Sequence, residues 1–365
     1  MLHTFTMIYL GIDMNRWSAR SVTRKTGILG VGSFAMLLGW APMPAWSGSG
    51  EEDVVAAVAM QPSFDGWLAA FRAEAAAKGV SETTLNKALA GLTPLDRIVE
   101  LDRKQPEFTL AFEDYLKRIV NPSKVTRGRQ KLKDYKVILK KIEVKYGVPA
   151  SVLVALWGTE SDYGRLAGRL SVIQCLATLA YEGRRATFFR AELLNALKIV
   201  DAGHVDPAAM VGSWAGAMGQ TQFMPSTFLN YGVDITGDGR IDLWNSPEDA
   251  LASSANYLAK LGWKNNEAWG REVAVPADLP ANLYGGQTKK SLQEWKTLGV
   301  TRPNGHTLPG RDQLQAGLIQ LEGHKKRVFL VYSNFDAIHE WNRSNQFSAA
   351  VGLLSDALAK GKHGG

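Results

Sequence analysis

The sequence predicts a mainly helical α+β protein in which a small β-containing section interrupts the helices near the C-terminal end. Apolar residues recur at steps of three and four over most of the chain from Phe64 onward, as they do in helices that pack through one face. Strand-like runs occur at residues 273–275 and 327–332. With 365 residues, 45% of them hydrophobic, the chain can bury a large core.

Residues 1–47 have the features of an export signal. Basic side chains come first, and an apolar stretch that ends in small residues follows. The basic residues are Arg16, Arg20, Arg24 and Lys25. We therefore predict a signal peptide at residues 1–47 and a tether at residues 48–62. The alternative is that the segment is retained as a membrane anchor.

The sequence contains one cysteine, Cys175, which lies in an apolar helical pattern and is predicted to be a core residue. No cysteine stands near residue 47, so we expect no lipid anchor there, and a single cysteine cannot form an intrachain disulfide. No run of about 18 apolar residues follows the N-terminal segment, so we predict no membrane span once the signal is removed.

The formal net charge of +7 comes partly from the predicted signal peptide. The basic excess that remains fits a polyanionic cell-wall or membrane-proximal partner. The sequence has no basic module with interleaved aromatic residues of the kind that reads DNA or RNA, so we expect no nucleic-acid binding.

Residues 63–140 are predicted to form an N-terminal helical subdomain. Its helical patterns are separated by breaks at Pro94, Pro106 and Pro122. Residues 127–146 form a basic amphipathic pattern, which we predict to be one helix with Gly147 as its C-cap.

The predicted core, residues 141–265, begins with an apolar helix that has a carboxylate on its buried face. Pro149 suits the first helical position, Gly164 suits a left-handed helix stop, and Glu160 falls on the apolar side. A buried carboxylate has a raised pKa unless it is paired, and a Glu that is protonated at neutral pH can act as a general acid. Alternatively, Glu160 reaches solvent at the helix end or pairs with Arg165.

A glycine-rich stretch follows at residues 212–228, which read GSWAGAMGQTQFMPSTF. Its glycines let the backbone approach another group closely, and its few polar and several aromatic side chains are typical of a sugar-binding cleft. The competing interpretation is a pair of buried helices that pack through small residues.

An Asp/Gly-rich loop matches part of the calcium-binding EF-hand pattern. The residues at loop positions 1, 3, 5, 6, 7 and 9 are Asp234, Thr236, Asp238, Gly239, Arg240 and Asp242. Asn245 stands at position 12, where a bidentate Glu is expected, and Glu248 or Asp249 could supply the missing carboxylate. The loop therefore fits either a structural calcium site or a metal-free turn held by side-chain hydrogen bonds.

After this loop, Ser246 and Pro247 cap and start a helix that ends at Gly262. The sequence then becomes rich in prolines and glycines and contains short strand patterns. We predict a small α/β insertion at residues 266–326 and a return of the chain to the helical core at residues 327–360.

Several of these stretches together resemble the B type of the lytic murein transglycosylases. Residues 157–165, which read WGTESDYGR, look like the catalytic motif, and residues 213–226, SWAGAMGQTQFMPS, look like the second motif. Residues 234–244 are similar to the EF-hand-like loop of that family, and residues 102–108 and 146–149 to its upstream signatures. The resemblance covers residues 64–358 and implies a lysozyme-like helical core.

The resemblance implies a periplasmic enzyme that cuts the bond between N-acetylmuramic acid and N-acetylglucosamine in peptidoglycan and leaves a 1,6-anhydro end. Glu160 matches the catalytic acid, and no cofactor is required for the reaction. The matching substrate-binding residues are Ser213, Gln222, Met224, Tyr257, Trp341 and Phe347. The last two stand where the family tends to have tyrosines, so we expect stacking surface there without the two hydroxyls.

The possible metal ligands in the matching loop are Asp234, Thr236, Asp238, Arg240 and Asp249. Peptidoglycan strands are the expected partner, and cell-wall synthesis or division proteins are further candidates. Asp162 lies two residues after Glu160 and should point away from it on a helix, so a single carboxylate is expected to serve as acid and then as base.

Three other functions remain open at this point. A lysozyme-type hydrolase on the same fold would leave reducing ends. A non-catalytic wall-binding or scaffold module would keep the aromatic cleft without needing Glu160, and a calcium-dependent structural protein would depend on the Asp/Gly-rich loop.

Overall fold

The computed structural model describes residues 62–104, 110–182, 184–323 and 325–360. From Ser63 onward these residues belong to one compact unit. The predicted signal peptide and nearly all of the predicted tether lie outside the described residues. In the part of the chain that is described, no helix combines the length and the apolar character needed to cross a membrane.

Helices dominate, which confirms the predicted fold class. The helices of the N-terminal part are α1 (Phe64–Ala77), α2 (Glu82–Leu89), α3 (Asp96–Arg103), α4 (Phe112–Ile119), α5 (Pro122–Asp134) and α6 (Lys136–Tyr146). Those of the central part are α7 (Ala150–Ser161), α8 (Val172–Glu182), α9 (Ala186–Asp201), α10 (Pro225–Tyr231) and α11 (Pro247–Lys260). The C-terminal part contributes α12 (Leu292–Thr297), α13 (Ser333–Trp341) and α14 (Asn345–Ala359).

Two antiparallel sheets accompany these helices. The smaller sheet pairs β1 (Leu170–Ser171) with β2 (Val211–Gly212). The larger sheet has the order β3-β6-β5-β4, and its strands are β3 (Gly270–Val273), β4 (Lys289–Ser291), β5 (Gln315–Leu321) and β6 (Arg327–Val331). It therefore includes a strand beyond residue 326, in the segment that we predicted as the return to the core.

The larger sheet is buried on both faces. Successive side chains of a strand point to opposite sides, and the side chains of β6 are buried on each side. On β6, Phe329 and Val331 join the main helical core. Val328 and Leu330 instead join a second cluster around the fully buried Trp295 of α12. The sheet is thus held against the helical core by one face and against its own short helix by the other.

The basic pattern at residues 127–146 forms two helices rather than the single helix predicted. Asn121 caps α5 and accepts a hydrogen bond from the N–H of Lys124, and α5 ends before Tyr135. The Tyr135 ring packs edge-on against Trp157 of α7, with ring centroids 5.6 Å apart. This tertiary contact is formed where the two helices meet. Gly147 is the left-handed C-cap of α6, as predicted.

The short β1–β2 ladder holds the glycine-rich stretch beside the end of α7. Leu170 pairs with Gly212, and Ser171 pairs with Val211. Gly168, at a φ of +92°, lies so close to this ladder that a Cβ would sit 2.1 Å from the carbonyl oxygen of Gly212. Only glycine allows both this conformation and this approach. The stretch itself forms turns up to α10, which excludes the pair of buried helices considered above.

Candidate active site

The helix that carries Glu160 ends in a left-handed turn made by two residues other than glycine. It begins at Ala150, with Pro149 as N-cap rather than first helical residue, and ends at Ser161. Asp162 and Tyr163 have φ values of 50° and 63°, so the helix stops earlier than the Gly164 that we predicted. Such a turn costs free energy that the surrounding contacts must offset.

Contacts from α5 stabilise this turn. The Asp162 carboxylate accepts a hydrogen bond from Arg127, at 2.7 Å, and another from Arg165, at 3.0 Å. The Tyr163 hydroxyl donates to the carbonyl oxygen of Lys124, at 2.9 Å. Asp162 is therefore occupied by two guanidinium groups, in agreement with the expectation that it is not a second catalytic carboxylate.

A buried cation lies beneath the C-terminal end of the same helix. Lys124 is 8% exposed, and its Nζ donates to the carbonyl oxygen of Gly158 at 2.9 Å. Burial lowers the pKa of this lysine, whereas the nearby Asp162 acts in the opposite direction. A positive charge at a helix C-terminus interacts favourably with the helix dipole and with its unpaired carbonyl groups. This contact thus fixes the C-terminal end of α7 at Gly158, two residues before Glu160.

The Glu160 carboxyl lies beside a cluster of aromatic rings and receives a hydrogen bond from an indole. Its side chain is half-buried, and Oε1 accepts the Nε1–H of Trp341 at 2.8 Å. Loss of hydration raises the pKa of Glu160 to about 8, although the Trp341 hydrogen bond favours the ionised form and opposes that rise. Glu160 therefore carries a proton at neutral pH, as a general acid must.

Tyr115, from α4, completes the surroundings of this carboxyl and was not singled out by the sequence analysis. It is 1% exposed, and its hydroxyl has no hydrogen-bond partner among the described residues. Burial, and next the negative charge of Glu160, raise its pKa, so the two groups are close enough to interact electrostatically. In the sequence, Tyr115 falls on the apolar side of a helical pattern and therefore looks like an ordinary core residue.

Aromatic rings form the wall of the cleft beside Glu160. The Trp341 ring lies 5.3 Å from that of Phe223 and 5.2 Å from that of Tyr257, and Tyr257 stacks on Tyr231 at 4.3 Å. Burial raises the pKa of Tyr257 to about 12, so its hydroxyl remains protonated. Trp341 and Tyr257 thus lie side by side, and the indole N–H of Trp341 supplies a donor to Glu160 in addition to its ring.

Three of the predicted substrate-binding residues are buried, Trp341 at 7% exposed and the two described next. Ser213 is fully buried, and its hydroxyl oxygen accepts the backbone N–H of Ala217 at 3.0 Å. Phe347 is 2% exposed and packs in the main core. Neither side chain has surface to offer a sugar, so these two predictions are corrected. Ser213 stabilises the turn of the second motif, and Phe347 anchors the first turn of α14.

The other two predicted residues from the second motif are half-buried. Gln222 has a φ of 53°, and its Nε2 donates to the carbonyl oxygens of Ala167 and Gly219, both at 2.9 Å. These bonds leave Oε1 of Gln222 without a partner among the described residues. Met224 caps the start of α10 through its backbone.

Glu192 is a buried carboxylate that the sequence analysis missed. It is 3% exposed, on α9, and accepts hydrogen bonds from the backbone N–H of Ser226, at 2.8 Å, and from its hydroxyl, at 2.6 Å. Burial raises its pKa, whereas both bonds to Ser226 act in the opposite direction. Glu192 thereby holds the start of α10, which follows directly on the cleft residues of the second motif.

The Asp/Gly-rich loop is closed by hydrogen bonds to its own backbone. Asp234 accepts the N–H groups of Gly237 and Gly239, at 2.6 and 2.9 Å. Asp249 is 1% exposed, and its two oxygens accept the N–H groups of Ile235 and Asp242, each at 3.0 Å.

The acidic side chains of this loop are engaged mainly by its own backbone N–H groups. Among the described residues, no group of three or more His, Cys, Asp or Glu side chains is placed to hold a metal ion. Both oxygens of Asp249 face backbone donors instead. Asp249 is therefore engaged by the loop backbone, and calcium binding by Asp234, Thr236, Asp238, Arg240 and Asp249 stays a prediction.

Comparisons with known proteins agree on one family. The family model described as "Transglycosylase SLT domain" matches residues 63–356. Membrane-bound lytic murein transglycosylase B of Escherichia coli K12 is 33% identical over 294 residues, which are 77% of this chain and 79% of that protein.

Solved structures are similar over most of the chain. SltB3 of Pseudomonas aeruginosa in complex with NAG-anhNAM-pentapeptide has a TM-score of 0.79 and 46% identity, covering 81% of this chain and 80% of that one. The Escherichia coli lytic transglycosylase Slt35 in complex with calcium has a TM-score of 0.71 and 32% identity, covering 81% of this chain and 93% of that one.

The pKa of Glu160 predicts a pH-dependent effect of its removal on stability. Below pH 4.5 both the folded and the unfolded chain keep the proton, whereas between pH 4.5 and about 8 only the unfolded chain releases it, which favours unfolding. We therefore expect Glu160→Gln to leave the free energy of unfolding unchanged at pH 4 and to raise it by about 2 kcal/mol at pH 8. Urea denaturation at both pH values measures this, and equal stabilities at pH 8 would contradict it.

The geometry of the Asp/Gly-rich loop predicts that Asp249 stabilises the fold without calcium. In Asp249→Asn, an amide NH₂ replaces one of the two acceptors, so a buried backbone N–H loses its partner and unfolding becomes easier by about 2 kcal/mol. The loss should be the same with EDTA and with calcium in thermal denaturation. Asp238→Asn, an exposed change in the same loop, is the control and should have little effect. A loss seen only with calcium would instead make Asp249 a metal ligand.

Proposed function

Because the chain belongs to the transglycosylase SLT domain family and is a lytic transglycosylase, we propose that it cleaves peptidoglycan between N-acetylmuramic acid and N-acetylglucosamine and leaves a 1,6-anhydro end. The observation that carries the proposal is the Glu160 carboxyl, protonated at neutral pH in an aromatic cleft. The SltB3 relatives are described in complex with NAG-NAM-pentapeptide and with its anhydro counterpart, which supports the same substrate class here.

In the first step Glu160 acts as the acid. It donates its proton to the oxygen of the glycosidic bond, the bond from that oxygen to C1 of the muramic sugar breaks, and the released sugar leaves with a hydroxyl. The 2-acetamido group of the muramic sugar stabilises the positive charge that develops at C1, since substrates can assist glycosidic cleavage in this way.

In the second step the same residue acts as the base. The ionised Glu160 takes the proton of the sugar's own 6-hydroxyl, and O6 forms a bond to C1 that closes the anhydro ring. Glu160 is protonated again at the end, and no water is consumed. An attack within one molecule has a high effective concentration, which makes a positioned water unnecessary. The steps use Glu160 and groups of the sugar.

The cleft residues are proposed to position the muramic sugar against Glu160. Tyr257, which is half-buried, offers ring surface beside the Trp341 ring. The half-buried Gln222 adjoins Phe223, which packs on Trp341. Met224 adds apolar contact next to them. Aromatic surface with a few placed polar groups is the usual composition of a carbohydrate site.

The place of action is proposed to be the periplasm, after removal of residues 1–47. The N-terminal features of the sequence support export, and the similar Escherichia coli protein is named a membrane-bound lytic murein transglycosylase. The expected partner is the glycan strand.

The products released from purified sacculi test the function directly. We expect the wild type to release muropeptides with anhydro ends in mass spectrometry, and Glu160→Gln to reduce that release by at least about 1,000-fold, because the amide cannot transfer the proton. Glu100→Gln, the same change at an exposed site on α3, should leave the release intact. Reducing-end products would show that water is the nucleophile, and wild-type binding without release would favour the scaffold function.

The pH dependence of the rate tests the role of Glu160 as acid. At low substrate concentration we expect the rate of muropeptide release to fall about tenfold per unit above pH 8, as Glu160 loses its proton. In Trp341→Phe the carboxylate loses the hydrogen bond that favours ionisation, so this fall should move to higher pH by about half a unit or more.

A matched control separates this effect from a loss of stability. Trp295→Phe removes an indole whose Nε1–H donates to the Ala316 carbonyl oxygen, at 2.9 Å, in the cluster around α12. That variant should keep the wild-type pH profile. An unchanged profile in Trp341→Phe, or the same shift in both variants, would show that Trp341 does not act through Glu160.

A further inference from the structure

One face of α6 is basic, exposed and apolar at its centre. Its members, which we call the lysine face, are Lys133 at the end of α5 and Lys136, Val137, Lys140, Lys141, Val144 and Lys145 on α6. All seven side chains are exposed. Val137 and Val144 are 87% and 74% exposed, the highest values among the large hydrophobic residues of the described chain.

The helical repeat orders these residues into three rows. Residues seven apart lie on one line along a helix, so Val137 and Val144 form a central apolar row. Lys136 and Lys140 lie to one side of it, and Lys141 and Lys145 lie to the other. The opposite side of α6 carries Leu139 and Ile142, which are buried in the main core. The lysine face is therefore the side of α6 that no other described element covers.

The charge of this face is not neutralised by any residue in the part of the chain that the structure describes. None of its five lysines forms an ion pair with a described residue, although many other basic residues of the chain do. The acidic residue of α6, Glu143, is half-buried and lies outside the three rows. Five positive charges over three helical turns create a strongly positive surface that attracts a polyanion.

The two valines distinguish between the possible anionic partners of the lysine face. Lysines alone would fit any anionic polymer, but two largely exposed apolar side chains between them gain most where an apolar layer lies directly beneath the anionic groups. A bilayer offers both negative charge and apolar contact, because its anionic headgroups overlie an apolar layer that a central apolar row of a helix can reach. We propose that the lysine face docks the protein on a membrane surface rich in anionic lipid.

This inference is independent of the proposed function. It concerns where the protein is held and uses no residue of the cleft, so vesicle binding and muropeptide release can fail separately. It also differs from a membrane span, since the helix would lie flat on the surface while its inner side stays packed on α7 and α11.

Vesicle flotation tests the docking. The protein is used as purified after export, and all variants keep the same N-terminus. We expect binding to vesicles of equal parts phosphatidylglycerol and phosphatidylcholine at low salt, and little binding to phosphatidylcholine alone. The triple variant Lys136→Gln, Lys140→Gln, Lys141→Gln should weaken binding to the anionic vesicles by about tenfold or more, because the attraction grows with each lysine near the surface.

Two further variants separate charge placement from total charge and test the apolar row. Lys87→Gln, Lys117→Gln, Lys198→Gln removes three exposed lysines of α2, α4 and α9 and should change binding less than twofold. Val137→Ser, Val144→Ser keeps every charge and should weaken binding several-fold. Unchanged muropeptide release by all three variants would show that they fold.

Three results would overturn the proposal. The first is no binding of the wild type to anionic vesicles. The second is an equal loss of binding in both triple variants, which would mean that net charge alone acts. The third is an undiminished affinity of the valine variant together with a loss of binding to purified sacculi in the Lys136, Lys140, Lys141 variant, which would assign the lysine face to murein instead.

Discussion

The arrangement of the site depends on keeping one carboxyl group neutral at the end of a buried helix. An ionised Glu160 would lose hydration in the cleft, and that loss raises its pKa to about 8. The helix end that carries it is held mainly by contacts that do not involve the carboxyl itself. Lys124 holds this helix end through the Gly158 carbonyl oxygen, and Arg127 holds it through the Asp162 carboxylate. Both cations act on the backbone turn and leave the acid free to hold its proton.

The two proposed steps make opposite demands on that carboxyl, since it must first give up a proton and then take one back. The donor from Trp341 moderates the effect of burial and brings the pKa nearer to neutrality. An indole N–H can donate but cannot accept, so it favours the ionised form only. A tyrosine hydroxyl at the same place could do either. Trp341 therefore gives this chain a contact to its acid whose direction is fixed by chemistry.

Local spacing sufficed to predict the helical class and the apolar position of Glu160, whereas the grouping of Glu160 with Tyr257 and Trp341 was implied by the resemblance to the family. Local spacing failed where long-range contacts decide. The stop of α7 moved from Gly164 to Asp162 because Arg127, which is distant in sequence, holds a left-handed aspartate there together with Arg165. Ser213 and Phe347 match motif positions, but a motif gives no direction for a side chain, and both turn into the protein. The sequence analysis missed Tyr115, because only its position near Glu160 in space distinguishes it from an ordinary core residue.

The helix pair α5–α6 connects the site with the outer surface of the protein. Its inner side supplies Lys124 and Arg127 to the end of α7, and the break at Tyr135 places that ring on Trp157. These contacts fix the helix pair firmly against α7. A surface contact on α6 would then hold the enzyme without reshaping the cleft, because the acid is positioned by α5 and α13 and none of its contacts comes from the lysine face.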